Sequence, residues 1–379
     1  MRRLALCLLA ATAFTGPALA APIQTVFVIA MENHDLTQPG TFTSIQPLLG
    51  NPAAPYLNSL MTPGNPNAAM TSYATNLTNV APGAHPSEPN YIWENAGSNF
   101  GVANDNDPST SSHNIISSPS MTGLMTQKGV TWKSYQEDVD MNLSTNSVLP
   151  QNQWTVPSTS ASGTNPGYTN PYNGSHQYNY AAKHNPMLFF TDSNTNPANY
   201  APLQQLATDL TNNTVAQYNW ITPDQYNDMH SALTGGYTYN SVHYTGDQAA
   251  VAAGDNFLAA VVPMIEASQA FQNNGVIEIW FDESEGGDTS AYTIPEIIIS
   301  PDAKGNAYDV TEPLTHSADL LTQEEIFQLG QCLGASCTSP DLSAFFQPGT
   351  IPNSVPEPAS LALLTAGMLG IGFVRRRRG

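Results

Sequence analysis

Two uninterrupted apolar runs limit the folds that are open to this chain. The run TVFVIAM occupies Thr25–Met31, and the stretch GVIEIWFDE at Gly275–Glu283 begins with a second run. A strand that is apolar at successive positions is buried on both faces, which is typical of parallel sheets covered by helices. A third buried strand is predicted at Thr293–Ser300, from the stretch TIPEIIIS.

Helical patterns and a long polar segment surround these strands. Apolar spacing predicts one helix around Asp255–Phe271 and another from Ser317 or Asp319 to Leu329. Strands that alternate with helices predict an α/β fold, with a mostly parallel central sheet and helices on both faces. Residues 141–180 are rich in Asn, Ser, Thr, Pro, Gly and Tyr, and we interpret them as a long polar lid insertion.

The first twenty residues are typical of a secretory signal peptide. Arg2 and Arg3 precede an apolar run, and Ala18-Leu19-Ala20 forms a cleavage site with small residues. We therefore predict that residues 1–20 are removed and that the protein is exported.

The C-terminal end carries a second targeting pattern. Pro356-Glu357-Pro358 is followed by an apolar run at 359–374 and by four arginines at 375–378. An ordinary membrane anchor is one interpretation, although 16 residues are short for a bilayer span. The pattern closely resembles the PEP-CTERM sorting signal, which we assign to 354–379. This resemblance implies processing by an exosortase, transient anchoring in the membrane, and a final location in the cell envelope or outside a Gram-negative bacterium.

The charge of the remaining domain excludes several partners. Six of the ten Lys and Arg residues lie in the two ends, which leaves only Lys128, Lys133, Lys183 and Lys304 between them. Because the net charge of the chain is -20, we expect no nucleic acid as a partner. A phosphate group could not be bound by an arginine fork here, so a metal ion would have to supply the positive charge.

Two cysteines remain after the signal peptide. Cys332 and Cys337 are close in sequence in an exported chain. A local structural disulfide is favoured over a metal site or two free thiols.

Acidic residues follow both apolar runs. Glu32 and Asn33 come directly after the first run, and Asp282 and Glu283 end the second. The carboxyl ends of parallel strands meet at one edge of a sheet, where ligands bind. Neighbouring carboxylates repel each other unless a cation lies between them, so a metal site is favoured over ordinary solvated strand ends.

One serine is held between two prolines. In the stretch AHPSEPNY, Ser87 lies between Pro86 and Pro89, and both prolines restrict the backbone around it. The stretch alone is compatible with a rigid surface turn or with a nucleophile presented to a substrate.

Seven motifs in order resemble those of a known family. They are FVIAMENHD, HPSEPNY, GVTWKSYQED, KHNPMLFF, ITPDQYNDMH, WFDESEGG and THSADLLTQEEIFQLG, spread over roughly Gln24–Phe346. The motifs are similar to those of the phosphoesterase family, which contains acid phosphatases and phospholipases C and is a branch of the alkaline-phosphatase-like superfamily. The resemblance implies that 21–350 form one phosphoesterase catalytic domain with an alkaline-phosphatase-like fold.

The resemblance also implies roles for individual residues. A divalent metal ion, or two such ions, would be held by Glu32, Asn33, Ser87, Asp282 and Glu283. Ser87 would also be the nucleophile, and Asn90 would hydrogen-bond a phosphoryl oxygen. The phosphate or the leaving group would be contacted by His184, Asp228 and His230. These three residues would otherwise hold a second metal. His85 and His316 are further candidates for the site.

These roles predict an exported, metal-dependent phosphomonoesterase that cleaves a small phosphate ester through a phosphoserine at Ser87. One alternative is a phosphodiesterase of the phospholipase C type. Another is a non-catalytic matrix or surface-binding protein, associated with a membrane or with extracellular polysaccharide. Two departures from the family pattern stand out: Lys183 replaces the usual arginine, and the stretch after Glu283 lacks the histidine that some members carry.

Overall fold

The fold is built on one large sheet with several small hairpins beside it. The computed structural model describes residues 22–79, 85–109, 114–142, 147–154, 156–164, 166–167, 169, 174, 176–231 and 233–352. The predicted signal peptide at 1–20 and the sorting signal at 354–379 lie outside the described residues. The described strands are β1 (Thr25–Met31), β2 (Thr71–Ala74), β3 (Trp132–Gln136), β4 (Met141–Asn142), β5 (Ser147–Val148), β6 (Ala161–Thr164), β7 (Gln177–Tyr180), β8 (Tyr200–Pro202), β9 (Tyr218–Thr222), β10 (Tyr237–Tyr239), β11 (Val242–Tyr244), β12 (Gly275–Phe281), β13 (Glu296–Ile299) and β14 (Tyr308–Val310).

Helices cover the sheet and complete the predicted α/β class. They are α1 (Pro55–Leu60), α2 (Glu88–Ala96), α3 (Met121–Lys128), α4 (Gln204–Asn212), α5 (Asp247–Glu266), α6 (Gln269–Gln272) and α7 (His316–Ile326). The main sheet has the order β14-β2-β13-β12-β1-β9-β3-β8. The mostly parallel sheet predicted from the apolar runs is confirmed.

The first predicted strand lies near the middle of the sheet. β1 has the predicted bounds, is buried along its whole length, and pairs in parallel with β12 on one side and β9 on the other. Its apolar side chains therefore pack against helices on both faces. This burial explains why the run TVFVIAM shows no alternation of polar and apolar residues.

The third predicted strand runs in the opposite direction. β13 is shorter than the predicted 293–300 and pairs antiparallel with both β12 and β2. The chain between β12 and β13 contains no helix among its described residues, and a parallel return usually crosses over through a helix. The carboxyl end of β13 is therefore at the edge opposite to that of β12.

The two predicted helices are present with shifted bounds. The predicted helix at Asp255–Phe271 is two helices, because α5 ends at Glu266 and Ser268 caps α6 by accepting a hydrogen bond from the Phe271 N–H. The helix predicted from Ser317 or Asp319 to Leu329 is α7, which begins at His316 and ends at Ile326. α5 is long and apolar enough to cross a membrane, but 67% of its most apolar window is buried inside the protein. We therefore assign it as a core helix.

The polar segment at 141–180 forms part of two small hairpins. β4 pairs with β5, and β6 pairs with β7. The Ser160 hydroxyl donates to Asp107 Oδ1 at 2.6 Å, and Trp154 packs against the hydrophobic core. These contacts attach the segment to the domain, and its role as a lid stays a prediction.

The predicted disulfide is confirmed. Cys332 and Cys337 are bonded directly after α7, with their Cα atoms 5.1 Å apart. The bond closes a short loop far in sequence from Ser87, which agrees with a structural role.

A glycine on α5 allows this helix to pack closely against the loop that contains Asn227 and Met229. A Cβ atom at Gly254 would contact the Met229 side chain and lie 3.0 Å from the Asn227 carbonyl oxygen. Asp228 and His230 lie in the same loop, so the packing of α5 determines where this loop lies.

We predict that Gly254→Ala destabilises the protein by about 1–3 kcal/mol, because the added methyl group overpacks this contact. In an unhindered helix the same change would stabilise by about 1 kcal/mol. Urea unfolding measures the difference. Gly40→Ala is the control, because a Cβ atom there would meet nothing within 4 Å. An unchanged or raised stability of Gly254→Ala would contradict the prediction.

Candidate functional site

The candidate site lies where β1 and β12 end. The two strands are parallel neighbours, and Met31 is paired with Phe281 at their last positions. Glu32 and Asp282 directly follow these two strands, and they therefore lie at the same level of the sheet. The pairing thus places the two residue pairs singled out in the sequence, Glu32-Asn33 and Asp282-Glu283, at one edge.

Ser87 is brought to this edge by helix α2. It is the N-cap residue, and Pro89 occupies the first turn, where the missing proline N–H costs no hydrogen bond. The Ser87 hydroxyl donates to Glu32 Oε2 at 2.9 Å and also lies 3.5 Å from Asn33 Oδ1. The positive end of the α2 dipole is therefore next to Ser87, which favours an anion there.

Glu283 orients three neighbouring side chains. Asn33 Nδ2 donates to its Oε1 at 2.9 Å, and Asn90 Nδ2 donates to its Oε2 at 3.0 Å. His85 Nδ1 lies 2.6 Å from the same Oε2. The other ring nitrogen of His85 is 2.7 Å from Asp288 Oδ1, so the ring is held between two carboxylates. One carboxylate thus positions side chains from β1, α2 and the loop before α2.

Glu32 is the second centre of hydrogen bonding. The Tyr91 hydroxyl donates to Glu32 Oε1 at 2.7 Å, and His184 Nε2 lies 3.0 Å from the same oxygen. Burial alone would raise the pKa of Glu32, but His184, Lys183 and Tyr91 hold it below its usual range. Glu32 is therefore an anion at neutral pH, although it is almost fully buried.

Asp282 has the opposite electrostatic environment. Burial raises its pKa well above the usual range, and the charges of Glu32 and Glu283 raise it further. Neither Asp282 carboxyl oxygen has a well-aligned hydrogen bond from the described residues, and both are fully buried. Unpaired carboxyl oxygens next to two other carboxylates fit a divalent cation, which prefers oxygen ligands. The residues present therefore fit the predicted metal.

A more open rim faces this buried centre. Asp228 accepts hydrogen bonds from the His230 and Ser231 N–H groups, and its backbone carbonyl accepts from the Glu32 N–H at 2.9 Å. The His230 side chain is 39% exposed, with Nδ1 3.9 Å from Glu32 Oε2 and Nε2 3.6 Å from Glu285 Oε2. His230 is therefore the candidate histidine that solvent reaches most directly.

One lysine lies close enough to affect the site. Lys183 Nζ donates to Asp105 Oδ2 at 3.0 Å. Burial alone would lower the pKa of Lys183, but Glu32 and Asp105 raise it above its usual range, so the side chain stays charged. The departure from arginine at this position thus preserves a positive charge.

His316 is buried behind the site and not in it. Its Nε2 lies 2.9 Å from the Phe281 carbonyl, and its ring packs 4.9 Å from that of Trp280. Burial lowers the pKa of His316 to about 4, so the ring is neutral at neutral pH. Its contact with Phe281 supports the end of β12, directly before Asp282.

Two contributing residues were not among the sequence candidates. The Tyr91 hydroxyl contacts Glu32, and the Tyr91 ring stacks on that of His184 with the ring centroids 5.1 Å apart. The spacing of one helical turn from Ser87 was the available signal. Asp288 follows Glu283 by five residues and pairs with His85, and no spacing rule indicates it.

Family models match two parts of the chain. The model described as "Phosphoesterase family" matches residues 77–330, and the "PEP-CTERM protein-sorting motif" matches residues 354–378. Both resemblances found in the sequence are thereby confirmed.

Individual relatives are distant. A "Probable acid phosphatase" from Kluyveromyces lactis is 27% identical over 55% of this chain and 40% of its own length. A "Phosphatidylinositol-3-phosphatase" from Mycobacterium tuberculosis is 25% identical over 74% of this chain and 72% of its own length. A protein in the alkaline phosphatase superfamily from Vibrio parahaemolyticus has a crystal structure that is 13% identical, with a TM-score of 0.48 over 85% of this chain and 70% of that one. The chain thus spans less than half the length of the yeast relative.

We predict a pH dependence from the His85 pair. Glu283 raises the pKa of the His85 ring to about 9, more than burial of the ring lowers it, and Asp288 adds to the increase. Because the pKa of His85 is higher in the folded than in the unfolded protein, the charged ring stabilises the fold. This stabilisation is fully present below about pH 6.5 and is lost as the pH rises through about 9. In EDTA-treated protein, the urea midpoint should fall more steeply over this range in the wild type than in His85→Gln. Equal slopes in the two proteins would contradict the prediction.

Proposed function

The chain belongs to the Phosphoesterase family, and from this premise we propose that it is an exported, metal-dependent phosphomonoesterase with Ser87 as its nucleophile. The observation that carries the proposal is the convergence of Ser87, Glu32, Asn33, Asp282 and Glu283 at one sheet edge, where neither Asp282 oxygen has a well-aligned hydrogen bond from the described residues. The relatives' names favour monoesters, because both the yeast and the mycobacterial protein are called phosphatases. A lipid phosphate monoester is thus within the proposed substrate class.

Glu32, Asn33, Ser87, Asp282 and Glu283 would hold the divalent ion. When bound, such an ion supplies positive charge to the serine oxygen and to the phosphoryl oxygens. Glu32 accepts the Ser87 hydroxyl at 2.9 Å, so a base is already in contact with the proton that must leave. Attack by Ser87 Oγ forms the new O–P bond and breaks the bond to the leaving oxygen.

The remaining residues position the substrate. Asn90 Nδ2 donates to Glu283, which orients the amide, and the same side chain would hydrogen-bond a phosphoryl oxygen. The α2 N-terminus and Lys183 add positive potential without an arginine. This arrangement supports binding of a phosphate dianion within a strongly acidic domain.

The two histidines differ in what they can reach. His184 is almost fully buried, stacks on Tyr91 and contacts Glu32, so it would act by positioning the base. His230 is exposed at the rim, so it would give a proton to the leaving oxygen. Hydrolysis of the phosphoserine by water would then return Ser87 to its starting state.

The ends of the chain define its location. The matched sorting motif indicates an exported protein with a C-terminal sorting signal, which implies exosortase processing. The cell envelope of a Gram-negative bacterium is the proposed location, with transient anchoring by the C-terminal segment.

We expect the EDTA-treated protein to be inactive and to regain hydrolysis of p-nitrophenyl phosphate when one divalent metal is added back. Ser87→Ala should lose at least about 10³-fold in kcat with that metal, because the nucleophile is gone. Ser117→Ala, an exposed serine, is the matched control. Faster hydrolysis of bis-p-nitrophenyl phosphate would favour the phospholipase C type. No hydrolysis by folded protein with any metal would favour a non-catalytic binding protein.

Proton delivery by His230 has a separate test. p-Nitrophenolate leaves without a proton, whereas phenolate needs one, so His230→Asn should slow phenyl phosphate hydrolysis about 10²-fold or more and p-nitrophenyl phosphate hydrolysis much less. His184→Asn should slow both substrates similarly, because it changes the base and not the leaving group. Comparing kcat for the two substrates decides this. An equal loss on both substrates in His230→Asn would refute the assignment.

A further inference from the structure

A second acidic cluster lies in the protein core, away from the candidate site. Glu278 on β12, Glu296 on β13 and Asp319 on α7 each direct one carboxyl oxygen toward the others, and these oxygens lie within 4.8 Å of one another. All three side chains are at least 97% buried. Glu278 lies on β12 four positions before Asp282, so the cluster is about 13 Å from the site on the same face of the sheet.

Two further side chains enter this cluster. Gln323, one turn after Asp319 on α7, donates from Nε2 to Glu278 Oε2 at 3.2 Å and to Glu94 Oε1 at 3.2 Å. Glu94 belongs to α2, two turns after Ser87. Three carboxyl groups from three elements therefore converge on one buried point, and Gln323 joins them to the Glu94 carboxyl group on α2.

Most of the oxygen atoms in the cluster have no partner. Both carboxyl oxygens of Glu296 and both of Asp319 are buried without a hydrogen bond from the described residues. The same is true of Glu94 Oε2 and of the Gln323 amide oxygen. Buried polar atoms are almost always satisfied in folded proteins, and an unsatisfied carboxylate is especially costly. So many unpaired acceptors in one place indicate a missing positive charge.

The chain itself does not supply that charge. Burial raises the pKa of Asp319 and Glu296 well above the usual range, and the charged groups that act on them are other carboxyl groups of the cluster. None of the four lysines is among them. Either shared protons or a bound cation must therefore neutralise the cluster.

The geometry fits a calcium ion. Oxygen ligands of Ca²⁺ lie about 2.3–2.6 Å from the ion, so two of them can be at most about 5 Å apart, as the oxygens of this cluster are. Mg²⁺ usually keeps several water ligands, whereas this cluster is enclosed by protein. Ca²⁺ accepts six to eight oxygens, and each carboxyl group can supply one or two of them, so the three converging carboxyl groups supply up to six.

We infer that Glu278, Glu296 and Asp319 form a structural calcium site in the core, with Gln323 linking it to Glu94. The ion would join β12 and β13 to α7, and the Gln323 hydrogen bond to Glu94 would extend this link to α2. Because α2 also carries Ser87, the site would fix the helix that presents the proposed nucleophile. The inference does not depend on phosphatase activity or on the metal at Asp282.

Calcium content can be measured separately from the metal of the candidate site. The full-length protein, exported in calcium-containing medium and purified in detergent, is made in an Asp282→Asn/Glu283→Gln background that removes two of the proposed ligands there. After desalting, mass spectrometry of the metal content should give about one calcium ion per chain. Adding Asp319→Asn should lower the content about tenfold or more, since a direct ligand loses its charge.

Two further variants keep the test decisive. Glu296→Gln should have the same effect, which covers the case in which Asp319→Asn does not fold. Asp255→Asn is the matched control, because Asp255 is a fully buried aspartate on α5 that bonds to the Tyr56 and Leu57 N–H groups, and calcium should be retained. Saturating calcium should also raise the unfolding midpoint of the background protein by about 5 °C after refolding from EDTA, and not that of Asp319→Asn.

Three outcomes would overturn the inference. The first is folded background protein without calcium. The second is calcium that persists undiminished in both Asp319→Asn and Glu296→Gln. The third is a stability that does not change with calcium and is unaffected by Asp319→Asn, which is the result expected for carboxyl groups that share protons.

Discussion

Neutralising buried carboxylates is the constraint on which this structure depends. Of the thirty Asp and Glu residues, all but Glu357 lie between the two ends, where there are only four lysines, and many of these acids are in the interior. A buried carboxylate without a partner takes up a proton or binds a cation, because an uncompensated negative charge is strongly destabilised in a low-dielectric core. The candidate site and the core cluster are two solutions to the same problem, at two depths on one face of the sheet.

A layer of aromatic rings separates the two acidic groups. The ring centroids of Tyr91 and Trp280 are 5.1 Å apart, those of Trp280 and Trp220 are 5.5 Å apart, and those of Trp280 and His316 are 4.9 Å apart. Tyr91 belongs to a stripe on α2 that runs from Ser87 through Tyr91 to Glu94, at spacings of one helical turn. The same face of one helix therefore reaches the site, the aromatic layer and the core cluster, and a shift of α2 would disturb all three.

The sequence predicted the parts that follow from continuous apolar runs and from local motifs. β1 has its predicted bounds, and the acidic residues after β1 and β12 lie at one edge because parallel pairing requires it. The direction of β13 was not predictable from its apolar pattern, because burial on both faces looks the same in either orientation. Tyr91 and Asp288 were missed because their roles depend on contacts across elements. The core cluster was missed because Glu278 and Glu296 stand singly inside apolar runs, and only pairing and packing bring them together with Asp319.

The different depths of the two acidic groups imply different relations to solvent. The candidate site opens at its rim, where the His230 and His85 side chains are 39% and 37% exposed, so a ligand can enter and leave without unfolding. The core cluster has no such rim, since every one of its five side chains is at least 97% buried. An ion there would have to bind as β13 and α7 close around it, and its binding energy would be folding energy. An exchangeable ion at the edge would serve chemistry, whereas a trapped ion in the core would serve the position of α2.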